Sequence, residues 1–276
     1  MQYSAITFYK LAQYCTAPGK QRDQVFIKML KEERLQSILN RLSKDNKVTL
    51  RDLSVDLHVS EYTIRRDIKE LSDQGLLKAV RGGAVPHSPV PHHFSDRLEY
   101  GSELKKIIAQ KAVKLIQPRQ VIIFDGGTTA LAVANLLPRD LDITAVTNSF
   151  PVASVLENHP HVNVLFAGGK LFKNAFTTVG HDCIRFFEKI RADICFMGIC
   201  SIHAQLGVTT IDYEESEVKK TMVDVSKHVV ALAPLERMNT AEAYFICPTS
   251  SLDTIVSDSP EDEGMQYYID SGVKVI

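Results

Sequence analysis

The sequence contains no tryptophan, and it has no apolar run approaching the roughly 20 residues that a membrane span needs. It also lacks a basic start followed by an apolar core and a small-residue cleavage site, so we expect no secretory signal. The five cysteines show neither a CxxC pair nor disulfide-framework spacing, and no HExxH or HxxxH pattern occurs. These absences argue against a membrane protein, a disulfide scaffold and a metal site, and they favour a cytoplasmic location.

Charge is nearly balanced overall but uneven along the chain. The 276 residues carry a formal net charge of −1 at pH 7. Residues 29–84 contain 11 Lys/Arg and 9 Asp/Glu, whereas residues 85–276 contain 17 and 23. A slightly basic front and an acidic back fit a nucleic-acid-binding domain joined to a separate domain, although many enzymes show the same asymmetry.

Three helices are predicted between residues 31 and 75. The first spans residues 31–43, because its apolar residues recur at helical spacing. These residues are Leu35, Ile38, Leu39 and Leu42. Thr49 and Ser60 are good N-caps for the second and third helices, and Gly75 suits the left-handed position that ends the third. Residues 76–84 are then predicted to form a small β-ribbon, which completes a winged helix-turn-helix.

The third helix has a basic outer face, since its apolar residues point toward the other two helices. A recognition helix inserts its N-terminal half into the major groove, where Arg pairs with guanine, and cations on the wing contact phosphates. We therefore predict a double-stranded DNA operator as partner. The candidate DNA-binding residues are Ser60, Tyr62, Thr63, Arg65, Arg66, Lys69, Lys78 and Arg81. The alternative is a solvated helix with a common charge pattern, which Arg65 and Arg66 alone would not exclude.

The whole chain is predicted to be a two-domain α+β protein. Residues 1–28 lack a cap or a steady period and are predicted to be an N-terminal extension, followed by the winged helix-turn-helix at 29–85. Pro86, Pro89 and Pro91 predict an extended linker over residues 86–103. Helices then alternate with short apolar strands over residues 104–276, which predicts a doubly wound, mostly parallel α/β sheet. The predicted strands are 121–124, one ending at Val146, 162–166, 193–197, 228–233, 254–257 and 273–276.

The stretch from Glu33 to Ala84, which includes VSEYTIRRDIKELSDQGLLKAVRGGAV, closely resembles the N-terminal domain of DeoR-type transcriptional regulators. The TIRRD core followed by Gly-Gly-Ala is very specific to that family, although Arg81 stands where the family usually has His. Residues 94–276 resemble the family's effector domain, which is similar in fold to ribose-phosphate isomerases. The resemblance implies a transcription regulator, more often a repressor, that is controlled by a phosphorylated sugar or a related metabolite.

Three polar or glycine-containing turns follow predicted strands of the second domain. Their residues are Asp125, Gly126, Gly127, Thr128 and Thr129; Thr147, Asn148 and Ser149; and Gly168, Gly169 and Lys170. Amides at a helix start beside glycines form an anion site, and ligands of doubly wound sheets bind beyond the carboxyl ends of strands. We therefore expect the three turns to line one effector pocket. A glycine turn that binds nothing remains the alternative.

Three further residues complete the candidate effector site: Cys200, Lys219 and Arg237. Lys219 is a candidate phosphate partner, with a solvated helix lysine as the alternative. The resemblance implies an acidic residue where this chain has Cys200, and an Asp-x-Ser-Lys run where it has Pro234-Leu235-Glu236-Arg237. Arg237 retains a cation but cannot move a proton, and the acid is missing.

These departures argue against the alternative function, a sugar-phosphate isomerase with a vestigial DNA-binding domain. Nothing in the sequence favours a third possibility, a pure protein-interaction module. We therefore expect no catalytic residues, no metal and no cofactor other than the phosphorylated effector. Because one small winged helix contacts few phosphates, we also expect a homo-oligomer, either a dimer or a tetramer, on repeated half-sites.

Overall fold

The computed structural model describes residues 29–45, 47–89, 91 and 93–276, so the predicted extension at 1–28 lies outside the described residues. Its N-terminal domain is a winged helix-turn-helix. The elements are α1 (Lys31–Asp45), β1 (Val48–Thr49), α2 (Leu50–Asp56), α3 (Glu61–Asp73), β2 (Lys78–Val80) and β3 (Gly83–Val85). The three strands pair antiparallel in the order β1-β3-β2. The predicted ribbon is thus present, with a third strand that the sequence did not indicate.

Both predicted N-caps in this domain are confirmed. The hydroxyl of Thr49 accepts a hydrogen bond from the Asp52 N–H at 3.1 Å, and that of Ser60 accepts one from the Thr63 N–H at 3.2 Å. Each bond satisfies a backbone donor that has no partner inside its own helix. Gly75 follows the end of α3 with a φ of +71°, the left-handed conformation predicted for it.

A buried ion pair joins α1 to α3 beneath the basic face. Arg34 Nε and Nη2 donate to the two carboxylate oxygens of Asp67 at 2.5 and 3.0 Å, and both residues are less than 10% exposed. The hydrogen bond to Asp67 raises the pKa of the Arg34 guanidinium further above its already high value. The aspartate of the TIRRD motif therefore has a structural role, since it lies against the core and away from solvent.

The predicted linker contains a helix, α4 (Phe94–Glu99), so the expectation of an extended segment over 86–103 was wrong for these residues. The prolines restrict the chain only as far as Pro91. Beyond them Phe94 is buried, and its N–H donates to the Asn174 carbonyl at 2.7 Å. Burial of an aromatic ring against the second domain stabilises a turn of helix that prolines no longer oppose.

The C-terminal domain follows directly. Its helices are α5 (Ser102–Ala112), α6 (Thr128–Asn135), α7 (Phe150–Leu156), α8 (His181–Phe187), α9 (Tyr213–Asp224) and α10 (Gln266–Asp270). Its strands are β4 (Val121–Phe124), β5 (Ile143–Thr147), β6 (Val162–Phe166), β7 (Lys170–Phe172), β8 (Thr177–Val179), β9 (Ala192–Gly198), β10 (Ser201–His203), β11 (Gly207–Thr210), β12 (Ser226–Leu232), β13 (Tyr244–Cys247), β14 (Thr254–Val256) and β15 (Lys274–Val275). All seven strands that the sequence predicted are present.

The described residues form a seven-stranded parallel sheet in the order β15-β14-β12-β9-β4-β5-β6. One apolar cluster lies on each face of the sheet, so the predicted doubly wound α/β domain is confirmed. Because β9, β4 and β5 are neighbours in register, Phe124 pairs with both Phe196 and Thr147. The carboxyl ends of the central strands therefore meet at one edge of the sheet.

Two small antiparallel units cover that edge and were not predicted. Strands β7 and β8 form a hairpin, and β10, β11 and β13 form a three-stranded sheet. Strands of three or four residues offer too little alternation of apolar and polar side chains for recognition from sequence. In the part of the chain that the structure describes, no helix is long and apolar enough to cross a membrane.

The Arg34–Asp67 pair predicts a large and specific loss of stability. Asp67→Ala should lower the free energy of unfolding of the N-terminal domain by about 3–5 kcal/mol, because it leaves a buried guanidinium without its partner. Hydrogen exchange of the α3 amides in the full chain measures this quantity. Glu70→Ala is the matched control, since the exposed Lys31–Glu70 pair joins the same two helices. Equal losses in the two variants would contradict the prediction.

Candidate functional site

The eight residues predicted to contact DNA lie on α3, at its N-cap or on the β2–β3 ribbon: Ser60, Tyr62, Thr63, Arg65, Arg66, Lys69, Lys78 and Arg81. Tyr62 is 71% exposed, and Arg65 and Lys69 line one shallow depression together with Arg81 at the ribbon turn. Among the described residues, none of the five cations in this set forms an ion pair. The surface is therefore free to bind phosphates and base edges, and its contact with DNA stays a prediction.

A pocket lies at the carboxyl edge of the parallel sheet, between the ends of β4, β9 and β12. The space between its lining residues amounts to about 610 Å³, including the part open to solvent. The β7–β8 hairpin and α4 form its remaining walls. Seven of the fourteen predicted effector residues line it: Gly126, Gly127, Thr128, Thr129, Cys200, Lys219 and Arg237.

A buried ion pair borders the pocket: Lys219 is part of the lining, and its partner Asp125, also predicted as an effector residue, lies behind the lining. The Lys219 ammonium on α9 donates to Asp125 Oδ2 and to the Gly198 carbonyl, the latter at 3.0 Å. The Gly198 N–H donates to the same Asp125 oxygen at 2.9 Å. Burial lowers the pKa of Lys219, but the negative charges of Asp125 and Glu215 outweigh it and hold the pKa above its ordinary value. Lys219 is thus a charged group tied to two strand ends, rather than the solvated lysine of the alternative interpretation.

The turn after β4 brings the start of α6 to the pocket wall. A Cβ added to Gly126 would lie 1.9 Å from Thr177 Cγ2, so only glycine lets the β7–β8 hairpin pack on this turn. Gly127 is the N-cap of α6 and has no side chain to accept from the first turn. Because Thr128 and Thr129 line the pocket, an uncapped helix start with positive polarity borders it.

Arg237 and Cys200 meet on the other side of the pocket. Arg237 lies in a short 3₁₀ turn after β12, is only 8% exposed, and donates from Nη1 to the Cys200 carbonyl at 3.1 Å. Its Nε is buried with no hydrogen-bond partner among the described residues. Burial raises the pKa of the Cys200 thiol to about 11, so this group is neutral at physiological pH.

The turn after β5 was predicted to line the pocket, but its residues Thr147, Asn148 and Ser149 are not part of the lining. The Thr147 hydroxyl donates to the Phe124 carbonyl at 2.7 Å, and the Asn148 side-chain amide donates to the Thr178 carbonyl at 2.7 Å. Ser149 caps α7. These bonds hold the hairpin and a helix in place, while the buried Asn148 Oδ1 has no hydrogen-bond partner among the described residues.

The turn after β6 was likewise expected in the pocket, and the structure places it outside. Gly168 and Gly169 lead directly into the hairpin. Gly169 has a φ of +147°, and a Cβ at this position would lie 2.7 Å from the Val179 carbonyl oxygen, so no other residue fits. Lys170 is exposed and pairs with Glu214 at 2.6 Å. The extra hairpin redirects this turn away from the neighbouring strand ends.

Four polar residues of the pocket were missed by sequence reasoning: Arg97, Asn174, Thr210 and Glu215. Glu215 accepts from the Thr210 hydroxyl at 2.7 Å. It stands four residues before Lys219 on a helix, and that spacing could have indicated a shared face. Arg97 gave no comparable signal, because it lies in the segment interpreted as an extended linker.

The pocket has more positive than negative charge around its α4 side. Arg97 Nε, like the Nε of Arg237, is buried without a partner among the described residues. Burial, reinforced by the charges of Arg237 and Arg97, lowers the pKa of nearby Lys105 to about 8. Glu236 is the one acidic group that raises it. Unpartnered guanidinium donors beside a helix start form an arrangement that favours an anion.

Both halves of the chain match models of one protein family. Residues 34–90 match the DeoR-like helix-turn-helix domain, and residues 101–259 match the DeoR C-terminal sensor domain. The two matches meet near α4, where the N-terminal and C-terminal domains join.

Proteins that are similar to this chain over almost their full length are named as transcriptional regulators. The HTH-type transcriptional regulator GolR of Listeria innocua is 31% identical over 88% of this chain and 97% of that protein. The glycerol-3-phosphate regulon repressor of Escherichia coli K12 is 28% identical over 84% and 92%. Ribose 5-phosphate isomerase A from Methanocaldococcus jannaschii is 17% identical over 49% of this chain and 54% of that chain, with a TM-score of 0.36. A likeness that weak says nothing about function.

The Asp125–Lys219 pair predicts how the stability of the C-terminal domain changes when the Lys219 ammonium is removed. Lys219→Met should destabilise the C-terminal domain by about 3–5 kcal/mol at pH 7, because the buried Asp125 carboxylate loses its partner. An unpaired buried carboxylate binds a proton more readily than it does in the unfolded chain, so the loss should shrink as the pH falls toward 5.

Hydrogen exchange of the β4 and β9 amides at the two pH values measures this effect. Lys220→Met is the control, since its side chain is exposed on the same helix. A loss that does not depend on pH, or one that Lys220→Met shares, would refute the role of the pair.

Proposed function

Since the chain belongs to the DeoR family of DNA-binding transcription regulators, we propose that α3 and the β2–β3 ribbon bind its operator while the C-terminal pocket binds a phosphorylated sugar or a related metabolite. The observation that carries the effector proposal is that two guanidinium groups, on Arg97 and Arg237, line one pocket and form no ion pair among the described residues. A dianionic phosphate would give both an ionic partner, and an uncharged sugar would not.

The polar groups on the floor of the pocket suit the sugar part of such a ligand. Glu215, Thr210 and Thr129 line the same cavity and offer hydroxyl and carboxylate oxygens. One relative is named as the repressor of a glycerol-3-phosphate regulon, which supports an effector that carries both hydroxyl groups and a phosphate. Because that relative is named as a repressor, we also infer that this protein represses transcription.

Effector control follows from a shift between two arrangements of the domains. A ligand can move that equilibrium only by its different affinity for the two states. One winged helix contacts few phosphates, so we propose a homo-oligomer, a dimer or a tetramer, on repeated half-sites in the cytoplasm. In such an assembly a small change in the spacing of the N-terminal domains is enough to weaken operator binding.

At Cys200 and Arg237, where the family resemblance implied an acid and a lysine, the pocket lacks groups suited to proton transfer. The Cys200 thiol is protonated at physiological pH, and Arg237 does not release a proton. Asp125 and Lys219 are bonded to each other and to the backbone of Gly198. These features agree with a family of regulators rather than enzymes.

DNA binding predicts a graded response to substitutions on α3 and the ribbon. Arg65→Ala or Arg66→Ala should weaken binding to the DNA upstream of the protein's own gene by about 1–3 kcal/mol, if paired contacts to guanine are made. Arg81→Ala should instead lower affinity for all sequences and reduce the slope of log K against log salt by about 0.9. Fluorescence anisotropy over a range of KCl concentrations measures both effects.

Lys31→Ala is the control for DNA binding, because Lys31 is a cation of the same domain that is already paired with Glu70. It should leave affinity nearly unchanged. If the wild-type protein binds the upstream DNA no more tightly than random DNA, the operator proposal fails.

Effector binding predicts that triose, pentose or hexose phosphates stabilise the protein and that the parent sugars do not. A ligand at 100 times its Kd should add about 2.7 kcal/mol to the free energy of unfolding. Thermal melting against such a panel identifies the ligand class. Arg237→Gln should abolish the shift, whereas Arg185→Gln, on the exposed face of α8, should retain it. Equal stabilisation by sugars without phosphate would contradict the proposal.

A further inference from the structure

Pro91 and, on helix α4, Arg97 are the pocket residues closest in sequence to the N-terminal domain. Helix α4 begins three residues after Pro91, and Glu242 of the C-terminal domain binds His87 and Ser88 of the preceding segment. The Glu242 carboxylate accepts from the Ser88 N–H at 3.1 Å and lies 3.1 Å from His87 Nδ1. The segment after β3 is therefore held along the C-terminal domain and ends in a helix that forms a pocket wall.

Few contacts hold α4 itself. The Phe94 N–H donates to the Asn174 carbonyl, and Arg97 Nη2 reaches the same carbonyl only at 3.5 Å. The Lys105 ammonium donates to the carbonyl oxygens of Arg97 and Tyr100 at the C-terminal end of the helix. Apart from Phe94, no residue of α4 is fully buried. This six-residue helix is thus held to the C-terminal domain near its two ends, by Phe94 and by Lys105, and Arg97 lies between these attachments.

Arg97 is the α4 residue that reaches the pocket. Its Nε is buried without a partner, and it lines the same cavity as Arg237 and the start of α6. The nearby acidic group, Glu236, is already engaged by the Tyr100 hydroxyl at 2.7 Å. The half-buried Arg97 guanidinium thus lines the pocket without an ion-pair partner among the described residues, and an anionic ligand would supply one.

We propose that Arg97 binds the anionic group of the effector together with Arg237, so that the bound ligand clamps α4 and the preceding segment onto the C-terminal domain. The inference rests on the proposed function, because it takes the pocket to be the effector site. It adds a ligand-binding residue that lies outside the α/β fold, in the connection to the DNA-binding domain. Occupancy of the pocket is thereby coupled to the chain that positions the winged helix, since the anion bridges the two.

The test uses the full chain and inorganic phosphate as probe, at constant ionic strength adjusted with chloride. Phosphate affinity is measured by titration calorimetry, and hydrogen exchange of residues 94–100 is followed with and without phosphate. Arg97→Gln removes the charge, Arg97→Lys keeps the charge without the planar fork, and Arg237→Gln tests the pocket independently. Arg185→Gln on α8 is the surface control, and melting temperatures establish that each variant is folded.

We expect phosphate to slow exchange of residues 94–100 in the wild-type protein and in Arg185→Gln. Arg97→Gln should weaken phosphate binding at least tenfold and abolish this protection, and Arg97→Lys should fall between the two. Equal phosphate affinity and equal protection of α4 in wild type and Arg97→Gln would overturn the role of Arg97. If Arg237→Gln still weakened binding in that case, the proposed pocket would stand. Wild-type protein that binds no phosphate would overturn both proposals.

Discussion

The buried contact between the Asp125 carboxylate and the Lys219 ammonium is the constraint on which the pocket depends. It joins the turn after β4 to helix α9, and through Gly198 it also fixes the end of β9. Three segments far apart in sequence therefore meet at one point at the sheet edge. The threonines at the start of α6 and the side chain of Glu215 line the cavity next to this point.

Charged groups in this protein fall into two physical classes. Arg34 with Asp67, and Lys219 with Asp125, are buried and fully paired, so each stabilises a packing arrangement and is unavailable to a ligand. Arg237 is buried and Arg97 half-buried, neither in an ion pair, and the cations of α3 are exposed without ion-pair partners among the described residues. Unsatisfied charge thus marks the two surfaces assigned to ligands, one for an anionic metabolite and one for DNA.

Local signals explain why much of the fold was predictable. Thr49, Ser60 and Gly75 act within a few residues of themselves, so helix ends could be assigned from sequence alone. The turn after β4 was equally readable, because a strand, two glycines and a helix start are contiguous. The turns after β5 and β6 look similar in sequence, but the β7–β8 hairpin occupies the space that a ligand would have needed.

The winged helix, the parallel sheet, the family and the place of the turn after β4 beside the pocket could all be predicted from the sequence, since each depends on neighbouring residues or on the period of apolar side chains. Tertiary structure alone decided which polar groups are consumed by packing and which are left for a ligand. The hydroxyls of Thr147 and Ser149 were consumed by packing, whereas Arg97, which follows the prolines, reached the pocket. Whether a buried donor has a partner depends on atoms distant in the chain, and no local pattern encodes that.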